Sequence, residues 1–195
     1  MKIINYLFIS KVRIEIMKLF FLKNNSRLHI REITRITGQE LNAVRRELLR
    51  LAEISLLESE KKGNRVNYFL NKEFLLYDEL ESIMFKCFGI GGAILESKST
   101  LGNIDLAFLL EPYLDKREST QDELDLVIVG EVDLNRVESM VQRIQKEDGR
   151  EINYTVLKKM DFDLRIRRKD TMAWKWVMRK KIEIIGSLSE QLKVL

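Results

Sequence analysis

Residues 30–57 constrain this chain more than any other stretch. They read Ile-Arg-Glu-Ile-Thr-Arg-Ile-Thr-Gly-Gln-Glu-Leu-Asn-Ala-Val-Arg-Arg-Glu-Leu-Leu-Arg-Leu-Ala-Glu-Ile-Ser-Leu-Leu. Ile30, Ile33 and Ile36 recur at helical spacing and predict one short amphipathic helix. Gly38 follows as the residue that leaves a helix at positive φ without a side-chain clash. A second helix is predicted from Leu41, with Val44, Leu48 and Leu51 as its buried stripe. Its other face carries Asn42, Arg45, Arg46, Leu49 and Arg50. Two short helices joined by a tight turn, the second basic on its free side, predict a helix-turn-helix.

Residues 56–59 read as a short strand, 61–64 as a hairpin turn and 65–70 as the returning strand. Helix, turn, basic helix and then a basic-tipped hairpin is the order of a winged helix. A solvated helical hairpin is the alternative when the motif stands alone. The added hairpin shifts the expectation to double-stranded DNA as partner. Arg45 and Asn42 are the expected base readers, with Gln39 at the turn and Arg46 and Arg50 beside them. Lys61, Lys62, Asn64 and Arg65 form the wing tip, where cations are expected to meet phosphates.

Charge supports this division of labour. The whole chain of 195 residues carries a net +4. Residues 1–72 hold fifteen Lys and Arg against seven Asp and Glu, a net +8, and residues 73–195 hold nineteen against twenty-three, a net −4. A basic first part and a mildly acidic remainder predict two domains, with nucleic acid the partner of the first. No apolar run is long enough to cross a bilayer, and residues 1–10 lack a small-residue cleavage site, so no membrane partner and a cytoplasmic location are expected. The single cysteine, Cys87, excludes an intramolecular disulfide. With only one histidine, His29, beside it, a zinc site of the usual kind is excluded, and no metal or cofactor is expected. His29 and Cys87 are expected as packing residues.

Along the chain, Ser10 is a predicted N-cap for a helix reaching Lys23, with Val12, Ile16, Leu19 and Phe20 inside. Residues 24–26 are a predicted loop. Residues 72–100 predict one long helix or two, with Leu76, Leu80, Ile83, Met84, Cys87 and Phe88 as an apolar stripe and Gly89, Gly91 and Gly92 as breakers. That stripe is expected either to pack under its own domain or to meet a second copy, and a homodimer contact is the favoured expectation. From Leu101 the period changes. Strands are predicted at 104–110, 124–129, 151–157 and 181–185, and helices at 134–146, 162–168, 171–180 and from 188. Strands alternating with helices predict an α/β or α+β domain with a mixed sheet. Trp174, Val177 and Met178 are an expected core stripe, and Arg165, Arg167, Arg168 and Lys169 an expected solvated helix face.

Two strings carry a family resemblance in the second half: Glu-Leu-Asp-Leu-Val-Ile-Val-Gly at 123–130 and Gly-Arg-Glu-Ile-Asn-Tyr-Thr-Val at 149–156. Residues 101–186 resemble a small nucleotidyltransferase domain of the polymerase-β superfamily. Residues 8–72, through Arg-Glu-Ile-Thr-Arg-Ile-Thr-Gly at 31–38, resemble winged-helix regulators of the arsenic-repressor type. The resemblance implies an α+β chain: a winged helix-turn-helix over 1–72, a helical linker over 73–100, and a mixed-sheet nucleotidyltransferase-like domain over 101–195. Active members of that superfamily end the first strand with Gly-Ser and carry Asp-x-Asp on the second, holding magnesium for phosphoryl transfer. Here the first position reads Leu110-Glu111-Pro112-Tyr113, and the acidic pair is Glu123 and Asp125. A carboxylate repels a triphosphate, and proline has no N–H to offer it. Glu151 and Asn153 begin the next strand without supplying a clear third ligand. Gly91-Gly92 followed by Asn103 and Asp105 mimics the spacing, but the residues before Gly91 read as helix, and Asp105 is expected on the exposed face of a strand. The resemblance therefore implies a regulator whose second domain is a vestigial scaffold or sensor without catalysis. The alternatives are an active nucleotidyltransferase guided by the winged helix, and an antitoxin-like module whose second domain binds a protein or nucleotide.

Overall fold

The structure is a computed structural model that describes residues 3–23 and 27–194, with the side chain of Val194 excepted. It is mixed α/β with two sheets, and it divides into two compact units, the first ending at Cys87 and the second beginning at Phe88. The expected loop at 24–26 lies outside the described residues.

The first unit runs α1 (Ile3–Leu7), α2 (Lys11–Leu22), β1 (Leu28–His29), α3 (Ile30–Thr37), α4 (Leu41–Glu53), β2 (Leu57–Lys62), β3 (Arg65–Leu70) and α5 (Tyr77–Cys87). The Ser10 side chain accepts the Arg13 N–H at 3.2 Å and so caps α2. Ile16, Leu19 and Phe20 are buried as predicted, together with Ile14, Met17 and Phe21, while Val12 is half-buried. Helix α2 packs against α3, α4 and α5. The sheet is antiparallel with order β1-β3-β2.

Four expectations change here. Ile36 is 46% exposed, so α3 buries Ile33 alone and rests on one apolar anchor. His29 is no plain packing residue. Its Nδ1 accepts the Arg31 N–H, and Glu32 accepts the His29 N–H, a reciprocal cap at the start of α3. The hairpin strand begins at Leu57 and extends through Lys61 and Lys62, leaving Gly63-Asn64 as a two-residue turn. In α5 the inner face is Tyr77, Glu81, Met84 and Phe85, whereas Leu76 precedes the helix and is exposed. The predicted stripe was therefore rotated by about one residue, and its member Met84 is spent inside the unit. Cys87 is half-buried, and burial pushes its thiol up, away from reactivity.

The second unit runs α6 (Gly89–Leu101), β4 (Gly102–Leu110), α7 (Glu111–Leu114), β5 (Leu126–Val132), α8 (Leu134–Asp148), β6 (Tyr154–Leu157), α9 (Lys159–Arg167), α10 (Thr171–Met178), β7 (Lys181–Ile185) and α11 (Leu188–Val194). Gly89, at φ 58°, marks the break between α5 and α6, while Gly91 and Gly92 are buried inside α6. The sheet has order β6-β5-β4-β7 and is mixed as expected: β4 runs antiparallel to β5 and β7, and β5 parallel to β6. Leu106, Phe108 and Leu110 of β4 and Val127 and Val129 of β5 share a core with Phe162 of α9 and Trp176 of α10. The alternate residues Ala107, Leu109, Leu126 and Ile128 are also buried, on the other face, and α6 packs against β4 with α8 beside it. A sheet buried on both faces explains the near-continuous apolar strands. Helix α8 buries Val137, Met140, Val141 and Ile144 and ends at Gly149 with φ 71°, as read from the sequence.

Asp105 is half-buried at a bulge of β4. The α10 stripe also differs: Ala173 and Trp176 face the core, while Trp174 and Met178 are 39% and 72% exposed. Val177 packs against the core as expected, but the stripe is turned by about one residue, because Trp174 and Trp176 stand about 200° apart on a helix and only the Trp176 side faces the sheet.

Candidate nucleic-acid interface

The free face of α4 is built from the inside out. Val44, Leu48 and Leu51 are fully buried and fix the rotation of the helix about its axis. That rotation leaves Asn42, Arg45, Arg46, Leu49 and Arg50 exposed. Gly38, at φ 65°, ends α3, and its N–H reaches the Thr34 carbonyl at 3.0 Å. Glu40 then caps α4, accepting the N–H groups of Asn42 and Ala43 at 2.8 Å each. Those two bonds hold its carboxyl below the ordinary range. Gln39 is half-buried at the turn, and its amide donates to the Thr37 carbonyl at 3.4 Å.

The arginines divide into two kinds. Among the described residues, no carboxylate lies within ion-pair distance of Arg45 or Arg46. Arg50 is solvent-facing yet tied, its Nη1 donating to Glu47 Oε1 at 2.9 Å. Glu47 is the centre of a clamp that the sequence did not reveal. It is 5% exposed and also accepts Arg13 Nε at 2.8 Å, joining α4 to α2. Burial pushes the Glu47 carboxyl up, but the bonds from Arg13, Arg50 and Ser10 outweigh it and leave it below its ordinary value. Arg13 lies 34 residues from Glu47, so no local spacing rule could have paired them.

Lys61, Lys62, Asn64 and Arg65 are all exposed at the hairpin tip, where Lys62 pairs with Arg65 across Gly63-Asn64. Gly63 takes φ 62° at the first turn position. Arg27 steadies the hairpin by pairing with Glu60 and lying 4.7 Å over the Phe69 ring.

In the second unit, Glu111 opens α7 and Pro112 follows within its first turn, buried. Glu123 and Asp125 are not the solvated pair expected of isolated acids. Arg117 grips Glu123 with two bonds of 2.7 and 2.8 Å, and Arg179 adds a third at 2.8 Å. The Arg117 bond, then the Arg179 bond, hold the Glu123 carboxyl far below the usual range. Arg179 also lies 3.9 Å from Glu111. Asp125 is 1% exposed. Its Oδ2 accepts the Ser119 hydroxyl at 2.5 Å and the Asn153 N–H at 2.9 Å, while its Oδ1 has no hydrogen-bond partner among the described residues. Arginines thus hold both carboxylate oxygens of Glu123, whereas among the described residues none bonds Asp125. Glu151 is exposed ahead of β6. A cavity of about 210 Å³ opens beside Glu123, lined by Leu110, Leu124, Met172, Trp176, Lys175 and Arg179 among others. Arg117 and Arg179 were missed in the sequence, the latter standing 56 residues from its partner.

Tyr113 ties this region together. Its hydroxyl donates to Asp148 Oδ2 at 3.0 Å and accepts the Ile90 N–H at 3.3 Å, and the Arg150 guanidinium lies 4.2 Å over its ring.

No helix among the described residues is long and apolar enough to cross a membrane. No family model matches the chain, and no curated protein matches it. Two solved structures resemble part of it. A predicted DNA-binding transcriptional regulator from E. coli is 22% identical over 42% of this chain and 79% of its own, with a TM-score of 0.33. Reduced HlyU from Vibrio cholerae is 19% identical over 44% of this chain and 84% of its own, also with a TM-score of 0.33. Scores this low do not identify the fold of this chain.

Proposed function

We propose that this chain is a DNA-binding transcriptional regulator in which α4 enters the major groove and the β2–β3 tip follows the backbone. The observation that carries the reading is the free face of α4. It presents Asn42, Arg45 and Arg46 with no carboxylate at ion-pair distance among the described residues, on a helix whose orientation is fixed by three buried residues. Unpaired guanidinium groups and a short amide are the donors that read base edges. Arg50, already bonded to Glu47, serves better as a phosphate contact than as a base reader. Lys61, Lys62 and Arg65 add phosphate contacts, and Asn64 and Gln39 lie beside them at the tip and the turn.

The second unit acts in this reading as a catalytically silent, nucleotidyltransferase-like scaffold or sensor. What supports silence is that Glu123 is neutralised by two arginines and that Pro112 stands in the first turn of α7, without an N–H for a phosphate. The protein works as a homodimer, because a two-fold partner lets two such helices read two half-sites. Ile3, Tyr6, Leu7 and Ile9 are among the exposed apolar residues of the first unit, with Leu75 and Leu76, and are the ones assigned to that contact.

The test is a salt titration on operator and random duplexes. Arg45→Ala should lose about 1–3 kcal/mol on the operator and little on random DNA. Lys62→Ala should weaken both alike and make the slope of log K against log salt shallower by about 0.9. If both variants bind both duplexes as the parent protein does, this surface does not carry DNA.

A further inference from the structure

The second unit segregates its charge. Residues 158–181, spanning α9, α10 and the start of β7, hold ten Lys and Arg against three Asp, a net +7. The remainder of that unit, residues 88–157 and 182–195, holds eight against sixteen, a net −8. Even the three aspartates of the basic segment are mostly spent. Asp163 pairs with Lys159, and Asp170 caps α10 by accepting the N–H groups of Met172 and Ala173. Six cations of the segment are exposed and make no ion pair among the described residues: Lys158, Arg165, Arg167, Arg168, Lys169 and Lys175. The segment is not free of acid, since Asp161 is exposed in the first turn of α9, but cations outnumber carboxylates there by ten to three.

The cations also converge. Arg165 and Arg168 are one helical turn apart and line one open depression with Leu164, together with Asp161 and Asp170. The Asp170 N–H bonds the Arg165 carbonyl at 2.9 Å, which folds α10 back against α9 and keeps Lys175 on the same two-helix layer. Lys169 forms the turn between the helices at φ 53°. The excess of positive charge on this layer favours a polyanion as partner.

We propose that the α9–α10 surface is a second nucleic-acid contact, made to the phosphate backbone of duplex DNA flanking the site read by α4. It rests on the DNA-binding reading of the first unit. Only Phe88 separates α5 from α6, so the two units are tethered by a single residue, and a duplex engaged by both would gain affinity by avidity. The contact carries no base preference. Its contribution is affinity, salt dependence and a longer footprint.

The experiment uses the full chain with Arg165→Gln, Arg167→Gln, Arg168→Gln and Lys169→Gln combined, all at exposed positions. A control variant removes Lys98, Arg143 and Lys146, exposed cations elsewhere in the unit. Binding is measured against salt on a duplex trimmed to the site and on one extended at both ends. On the extended duplex the fourfold variant should flatten the salt slope by about 2–4 and lose affinity by about one to two orders of magnitude at low salt. On the trimmed duplex it should match the parent protein, and the control should match on both. Equal slopes for variant and parent on the extended duplex overturn the proposal. So does equal loss on trimmed and extended duplexes, or per-charge losses in the control as large as in the fourfold variant. Loss of binding to phosphatidylglycerol vesicles with DNA binding unchanged assigns the surface to a membrane instead and also overturns it. The two readings separate cleanly. A null result for Arg45→Ala and Lys62→Ala sinks the first-unit reading, whereas a null result for the fourfold variant alone sinks only this one.

Discussion

Replacing Glu47 by glutamine isolates the clamp that joins α2 to α4. The change keeps the volume of the side chain and removes its charge. In the parent protein one carboxylate oxygen accepts Arg13 Nε at 2.8 Å and the other accepts Arg50 Nη1 at 2.9 Å. A glutamine can offer one acceptor, and its amide N–H₂ must then face a guanidinium. A hydrogen bond to a charged group contributes about 1.5–3 kcal/mol when well sheltered. The partners are not sheltered: the Arg13 and Arg50 side chains are 34% and 60% exposed. Solvent screening therefore reduces the expected loss to about 1–2 kcal/mol. Burial of Glu47 keeps it from falling to the near-zero value of a surface pair. The readout is hydrogen exchange at the α2 and α4 amides, which reports local stability without assuming that both units unfold together. The pH dependence is the sharper part. The folded carboxyl lies below its unfolded value near about 4.3, so its contribution is complete above that value and fades as pH falls through the folded one. The gap between parent and Glu47→Gln should be full at neutral pH and close in acid. A gap that persists unchanged in acid, or no gap at neutral pH, refutes the clamp. Operator affinity should also fall in Glu47→Gln, because Arg50 loses the group that orders it.

Gly38→Ala should cost about 1–2 kcal/mol in a thermal melt, because φ 65° is left-handed, and nothing within 4 Å of the added methyl group contributes a clash. Tyr113→Phe should cost about 1–3 kcal/mol in urea unfolding of the second unit, since it strands the Ile90 N–H and removes a bond to Asp148. Burial pushes the Tyr113 hydroxyl well above its ordinary value, so ultraviolet titration should show this ring still protonated where exposed tyrosines have ionised. Purified protein with magnesium and labelled nucleoside triphosphates should transfer no nucleotide to itself, DNA or a co-purified protein; turnover lost in Asp125→Ala would contradict the silent second unit. Light scattering should show a dimer that Tyr6→Glu with Ile9→Glu converts to a monomer, and a parent protein that stays monomeric at high micromolar concentration removes the dimer from the mechanism.

Local rules were enough wherever a residue answers to its own helix or turn. Ser10 as a cap, Gly38 and Gly149 as left-handed helix ends, and the buried stripes of α4 and α8 follow from spacing and backbone chemistry alone. The order of strands and helices in the second half was legible for the same reason, since hydrophobic period changes with secondary structure. What the tertiary structure alone decided is which phase of an apolar helix turns inward and which distant charges meet. Trp176 rather than Trp174, and Tyr77 rather than Leu76, fill the core because the neighbouring elements leave one cavity at one phase of the helix. Glu47 with Arg13, and Glu123 with Arg117 and Arg179, are drawn together by folding across 34, 6 and 56 residues. Charge composition determined that the chain has a basic face to offer; only packing decided which cations are neutralised by their own protein and which are left for a partner.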